Sequence, residues 1–237
     1  LSIGSLQELT RNATPFCETL FRQVWQDFIK FDKKYGNDDY RSVFFGTYCE
    51  TLLWTLVQLE NFSNHNPDPI IKKRFAVLKR SSLAQILLQY DTINRQSFTV
   101  VTMALVEDFI NAICEELFGK TFPKYSISIQ RLCDRIFPAS QDKFNRLYSL
   151  YLVRNTLHNN GFLKILKNDF NLQIGSRLYQ FRKGQQLTFT GWQDLFIITG
   201  DLISVITELI ENPNILGISK IKHTNALEID TGVLLNN

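Results

Sequence analysis

The stretch Leu152-Val153-Arg154-Asn155-Thr156-Leu157-His158-Asn159-Asn160-Gly161 sets a permanent cation and a proton donor or acceptor one helical turn apart, just before a glycine. Read as a helix, Arg154 and His158 are an i, i+4 pair about 40° apart around the axis and share a face. Traced by threes and fours, that face continues through Tyr151, Leu147 and Phe144. The pair therefore extends an apolar stripe, and the solvated side is expected to carry Asn145, Ser149 and Thr156. Asn159, Asn160 and Gly161 tolerate the left-handed conformation of a helix C-cap. His158 then falls in the last turn, where the negative end of the helix dipole favours an imidazolium by roughly 0.3–1 kcal/mol.

Upstream of this stretch the helical period dominates. Thr14-Pro15 reads as a cap and first helical position, opening a helix through Phe16, Leu20, Val24, Phe28 and Phe31 that stops near Gly36. A second helix follows Asn37-Asp38-Asp39. Its apolar positions Val43, Phe44, Tyr48, Leu52, Trp54, Leu56 and Leu59 run to the turn Asn64-His65-Asn66-Pro67. From Asp68 a shorter helix is expected, with Ile71, Phe75 and Leu78 on one face and Lys72, Lys73, Lys79 and Arg80 on the other. Ser97 to Phe118 is apolar almost all round and reads as a central helix. A loop with Gly119 and Pro123 follows, then a short helix from about Ile129 to Phe137; Pro138 punctuates, and Ser140 starts the helix that carries Arg154.

Downstream the period changes. Phe162 to Leu166, Arg177 to Phe181 and Leu187 to Phe189 read as short strands, with Lys183-Gly184 as a hairpin turn. Thr190 and Gln193 form a capping-box pattern before a last long helix, Trp192 to Ile210. The expected fold is mainly α, a helical bundle with a small β-hairpin insertion before the last long helix. One domain covers residues 1–237: N-terminal helices over 14–118, the motif helix, insertion and last helix over 127–211, and an appendage over 212–237.

Composition narrows the function. A chain of 237 residues, 44% hydrophobic, can bury a sizeable core without disulfides. The formal charge is only +3, so a nucleic-acid surface must come from local clustering. Cys17, Cys49, Cys114 and Cys133 lie far apart, three of them among apolar residues, and read as buried free thiols in a reducing compartment. None of the three histidines, His65, His158 and His223, has a Cys or His at ligand spacing, which argues against a metal site. No phosphate-binding glycine loop, Ser/His/Asp spacing or metalloprotease helix occurs, and no cofactor is implied. Leu1 to Thr10 lacks the features of a secretory signal, and no run of eighteen uninterrupted apolar residues exists. A cytoplasmic protein without a membrane span is expected.

On the central helix Glu107 has Val100, Met103, Ile110, Cys114 and Phe118 within about 60° of it, whereas Asp108, Asn111 and Glu115 fall along a polar edge. A carboxylate on an apolar stripe needs a cation or a proton, and Arg154 is the natural partner. The basic set Lys72, Lys73, Lys79 and Arg80 can follow a phosphate backbone or form a solvated face. Asn155 and Asn159, another i, i+4 pair, can bond a phosphate, base or ribose or simply cap the helix. Arg177, Arg182 and Lys183, interleaved with Tyr179 and Phe181, offer charge and stacking together, or rings that pack the hairpin down.

Arg154-Asn155 followed by His158 near a helix end resembles the mark of the HEPN superfamily (higher eukaryotes and prokaryotes nucleotide-binding) over roughly residues 40–211. The interval between Arg and His, three residues, is shorter than the family's usual four to six. The resemblance implies an all-helical bundle, in many members a homodimer whose two Arg and His pairs face one cleft, and in active members metal-independent cleavage of RNA. It also implies an acidic residue from an earlier helix beside the pair, for which Ala104-Leu105-Val106-Glu107-Asp108-Phe109 is the matching element. RNA cleavage without metal needs a base or acid at the 2′ and 5′ oxygens and a cation for charge on phosphorus; His158 suits the first and Arg154 the second. The same residues serve structure if Arg154 is paired with Glu107 and His158 bonds the last carbonyls of its helix. The alternative function is a noncatalytic interaction or dimerisation module with a cognate protein partner; a nucleotide-binding regulator is a third reading, without a phosphate loop to support it.

Overall fold

The computed structural model describes residues 3–64, 83–138, 140–159, 162–164 and 168–223. Among them the chain is mainly helical, with seven helices and one two-stranded sheet. Thr10, Ala13, Cys17, Leu20, Val24 and Phe31, spaced by threes, fours and a seven, are buried along one side of a helix α1 that runs Ile3–Tyr35. The expected start at Thr14-Pro15 is thus corrected: Pro15 lies inside α1. A proline there removes one backbone hydrogen bond, at about 3 kcal/mol in a helix interior. Burial of Thr10 and Ala13 upstream carries the helix past it. Thr14 does not cap; its hydroxyl donates back to the Thr10 carbonyl. Gly36, at φ 84°, ends the helix as expected.

Helix α2, Tyr40–Asn64, returns antiparallel to α1, with the Phe28 ring against Gly46 and Arg11 near the Ser63 carbonyl. Helix α3, Leu83–Phe118, begins fourteen residues before the expected Ser97. It runs antiparallel to α2, as the ring pairs Phe62 with Tyr90 and Phe44 with Phe109 fix. Its stretch Leu88–Phe118, though interrupted by charges, is long and apolar enough to cross a bilayer by length and composition; 56% of its apolar window is buried inside the protein, as in a core helix. Residues 65–82, with the expected helix from Asp68 and its basic face, lie outside the described residues.

Helix α4, Tyr125–Ile136, starts four residues before the expected Ile129 because Tyr125 itself is buried, its hydroxyl donating to the Leu147 carbonyl. Helix α5, Gln141–His158, is capped by Ser140 as expected, the hydroxyl accepting from the Lys143 amide at 3.3 Å. Its phase differs from the sequence reading at one side. Ser149 and Thr156 are fully buried, not solvated. Each hydroxyl bonds a carbonyl of its own helix, Arg146 and Leu152 respectively, so neither needs water. The outer side of α5 is the half-buried aromatic row Phe144, Tyr148 and Tyr151.

The hairpin is β1, Phe170–Ile174, and β2, Arg177–Phe181, in register Leu172 opposite Tyr179. Among the described residues only Arg177–Phe181 forms a strand where expected; the end of the expected strand Phe162 to Leu166 lies outside them. The turn is Gly175-Ser176, with Gly175 at φ 56°, and not Lys183-Gly184. Phe162 contributes an isolated bridge to Gln186, and Leu187 to Phe189 forms no strand. Leu172, Tyr179 and Phe181 face the core against α5 and a last long helix α6, Trp192–Glu211. The cap of α6 is Gly191 without a side-chain bond, while the Thr190 carbonyl accepts from Arg95; no Thr190–Gln193 capping box forms. Helix α6 lies parallel to α1, through Gln23 with Ser204, Asp27 with Thr207, and Lys30 with Glu211.

Residues 212–223 are not the appendage expected. A one-turn helix α7, Pro213–Leu216, puts Ile215 in the core, and Ile221 is fully buried too. The Tyr40 amide donates to the Ile221 carbonyl at 2.9 Å, and Ile221 donates to Asp39. Residues 224–237 lie outside the described residues.

Candidate functional site

The expected partnership of Arg154 with Glu107 is present where α5 crosses α3. Nη1 of Arg154 donates to Oε1 of Glu107 at 3.0 Å, with the two side chains 29% and 31% exposed. Burial pushes the Glu107 carboxyl above its ordinary range, and the charge and hydrogen bond of Arg154 act against that rise. The floor beneath is Tyr125, whose buried phenol is pushed well up, first by burial and then by the Glu107 charge. The Tyr151 ring lies 6.0 Å from the guanidinium carbon. Nε of Arg154 is buried and makes no hydrogen bond. A buried donor without an acceptor is rare in a settled core, and here it belongs to the residue the motif singles out.

His158 is the last residue of α5, in the final turn as expected. Its side chain lies outside the described residues. Asn155 donates to the Tyr151 carbonyl and Asn159 to the Asn155 carbonyl, both at 2.7 Å, so both amides close the end of α5. Lys72, Lys73, Lys79 and Arg80 lie outside the described residues. On the hairpin Tyr179 and Phe181 are buried, and Arg177 is paired with Asp194 at 2.7 Å; the stacking surface considered for this element does not form. Arg182 bonds the Phe170 carbonyl and Asn171 within the same insertion.

A second polar cluster adjoins the first and was not visible in the sequence. Asp108, the neighbour of Glu107 on α3, accepts from the Tyr40 hydroxyl and lies 3.3 Å from Nε2 of His223. The His223 ring stands edge-on to Tyr40, centroids 4.4 Å apart. No spacing rule links position 223 to position 108; the link depends on the docking of residues 212–223. Glu107 and Asp108 thus leave α3 on opposite sides of an exposed strip that carries Ile93, Ser97, Val101 and Ala104 and no charge.

Comparison with known proteins returns nothing similar: no protein-family model, no curated protein and no solved structure matches the chain.

Proposed function

We propose that this chain is a HEPN-like RNA-binding protein that works as a homodimer and cuts RNA without a metal ion. The observation that carries the reading is the half-buried Arg154–Glu107 pair one turn before His158, with the orphaned Nε of Arg154. A cation held by a single carboxylate at the rim of a helical bundle is able to exchange that partner for a phosphate. In the reaction the ribose 2′ oxygen attacks phosphorus and the bond to the 5′ oxygen breaks, leaving a 2′,3′-cyclic phosphate and a 5′-hydroxyl. His158 takes the 2′ proton and a proton passes back to the 5′ oxygen, while Arg154 offsets charge on the non-bridging oxygens. Glu107 positions the guanidinium. Asn155 and Asn159 keep the helix end closed beside it.

The charge-free strip of α3 supports the dimer. Ile93 and Val101 are exposed there. The Phe62–Tyr90 and Phe44–Phe109 pairs set Trp54 of α2, 70% exposed, level with Phe98 and Thr99. A second copy on this strip covers apolar surface that water otherwise meets, and brings both Arg154–Glu107 pairs to the borders of one cleft.

The test is cleavage of labelled single-stranded RNA by the full chain in excess EDTA. The wild type is expected to yield cyclic-phosphate ends, and Arg154→Ala and His158→Ala to lose at least about 100-fold in rate. An inactive wild type, or a fully active His158→Ala variant, defeats the reading. The same exposed Trp54 favours one other reading, a noncatalytic dimerisation module, which an inactive but dimeric wild type would select.

A further inference from the structure

The outer side of α5 is aromatic and uncharged. Around the helix axis Phe144, Tyr148, Tyr151 and Asn155 fall within about 60° of one another, all half-buried, and Arg154 stands at the border of this face. The rings form one row. Phe144 and Tyr148 are 5.4 Å apart by centroid and Tyr148 and Tyr151 are 5.2 Å apart, with planes 35° and 21° from parallel. Tyr125 of α4 extends the row, 5.4 Å from Tyr151. Rings this close and this nearly parallel cover part of each other's faces, so the row turns its edges and hydroxyls outward.

The hydroxyls separate this row from ordinary core packing. That of Tyr125 is spent on the Leu147 carbonyl. Those of Tyr148 and Tyr151 bond nothing among the described residues and stay open to solvent. Asn155 uses its Nδ2 on the Tyr151 carbonyl, which leaves Oδ1 as an acceptor on the same face. An apolar partner laid here would close off these three groups without bonding them, at a cost. A flat polar ring suits the face better: it meets the ring edges with its own face, in a T-shaped contact, and bonds the hydroxyls and Oδ1 at its rim.

The electrostatics select among such rings. Tyr148 is held above its ordinary range by burial and then by the neighbouring Tyr151 phenol, with no carboxylate contributing. A polyanion therefore meets no repelling charge at the row, and the guanidinium carbon of Arg154, whose side chain is 29% exposed, lies 6.0 Å from the Tyr151 ring. A phosphate at Arg154 leaves the base of its own nucleotide within reach of Tyr151 and Tyr148. Resting on the function proposed above, we infer that this face is the base site for the RNA: the nucleotide whose phosphate meets Arg154 lays its base across Tyr151 and Tyr148, with Oδ1 of Asn155 at the base edge.

The experiment uses the full chain carrying His158→Ala, so that binding is read without cleavage, and a short labelled RNA of mixed sequence without self-pairing. Fluorescence anisotropy gives the affinity. Tyr148→Ala and Tyr151→Ala are each expected to weaken binding at least about fivefold, as for the loss of one base contact, and Tyr148→Phe to weaken it less. Asn145→Ala, on α5 but off the row, should bind as the parent does. The same RNA closed into a duplex should bind at least about tenfold more weakly, because its bases are stacked inside. Should a tyrosine variant fail to fold, NMR of the ring-labelled parent replaces it: the signals of Tyr148 and Tyr151 should move when RNA is added. A parent that binds no RNA removes the proposed function and this site together. RNA binding with both tyrosine variants unweakened, with still ring signals, or with the duplex bound as tightly as the single strand, overturns this site and leaves the proposed function standing.

Discussion

Arg41 and Asp39 form an ion pair wholly inside the protein. Nε and Nη2 of the guanidinium reach the two carboxylate oxygens at 2.8 and 2.6 Å, and both side chains are essentially without solvent contact. The remaining donors are used on the carbonyls of Ile215, Ile218 and Ser219, at 3.3, 3.1 and 3.4 Å, and Tyr35 stacks 3.5 Å from the guanidinium carbon. The pair is the clasp that holds residues 213–221 against the start of α2.

Removing one half of that clasp leaves a buried charge. Arg41→Met should destabilise the chain by about 3–5 kcal/mol, whereas Asp39→Asn with Arg41→Met together should recover part of the loss. Urea unfolding followed by circular dichroism measures both. A loss under about 1 kcal/mol for Arg41→Met would show that the clasp does not hold the fold.

The sign of a pH effect follows from Glu107. Its folded value is raised above the ordinary 4.5, so the native chain holds that proton more tightly than the unfolded chain. Its contribution to stability is therefore complete below the unfolded value and is lost as pH rises through the folded one. Relative to Glu107→Gln, the wild type should lose stability as pH rises from the ordinary carboxylate range through the raised folded value. A difference that grows with pH across that window contradicts the burial assigned to this carboxyl.

Exposed Trp54 separates association from folding. Trp54→Glu should leave monomer stability within about 0.5 kcal/mol, since the side chain meets little of its own chain. If the α3 strip pairs two copies, sedimentation should move from dimer to monomer in the variant. An unchanged dimer places the interface elsewhere.

All four thiols are buried and free, and burial pushes each up to about 12. At pH 8 the folded chain should react with a disulfide reagent slowly or not at all, and in urea all four should react at once. Fast reaction of any one thiol in the folded chain would locate a region that opens without global unfolding.

Where side-chain chemistry acts locally, the sequence was readable. Ser140 as a cap, Gly36 as a stop and the change of period after Gly161 each depend on a few neighbouring residues. The Glu107–Arg154 pair was legible for a related reason: two charged groups on apolar helical faces must find partners. What escaped was decided at a distance. Pro15 sits inside α1 because residues above and below it are buried by α2 and α6, and propensity yields to that packing. Ser149 and Thr156 are core residues because their hydroxyls turn back on their own helix, which makes a polar letter behave as an apolar one. Position 221 carries no local mark of its burial. The contact between Asp108 and His223 depends on it, so that half of the site was hidden as well.

The parallel contact of α1 with α6 has a consequence for synthesis. Gln23 meets Gly200 across 177 residues of chain, Asp27 meets Thr207 across 180, and Lys30 meets Glu211 across 181. Side by side in the folded molecule, these helices leave the ribosome far apart in time. Until α6 emerges, the stripe from Thr10 to Phe31 has α2 and a small part of α3 to cover it, so the nascent chain carries an unfinished apolar seam until then. Closure of that seam is the event that makes the bundle whole, and chaperone binding to stalled nascent chains should fall once Glu211 has cleared the exit tunnel.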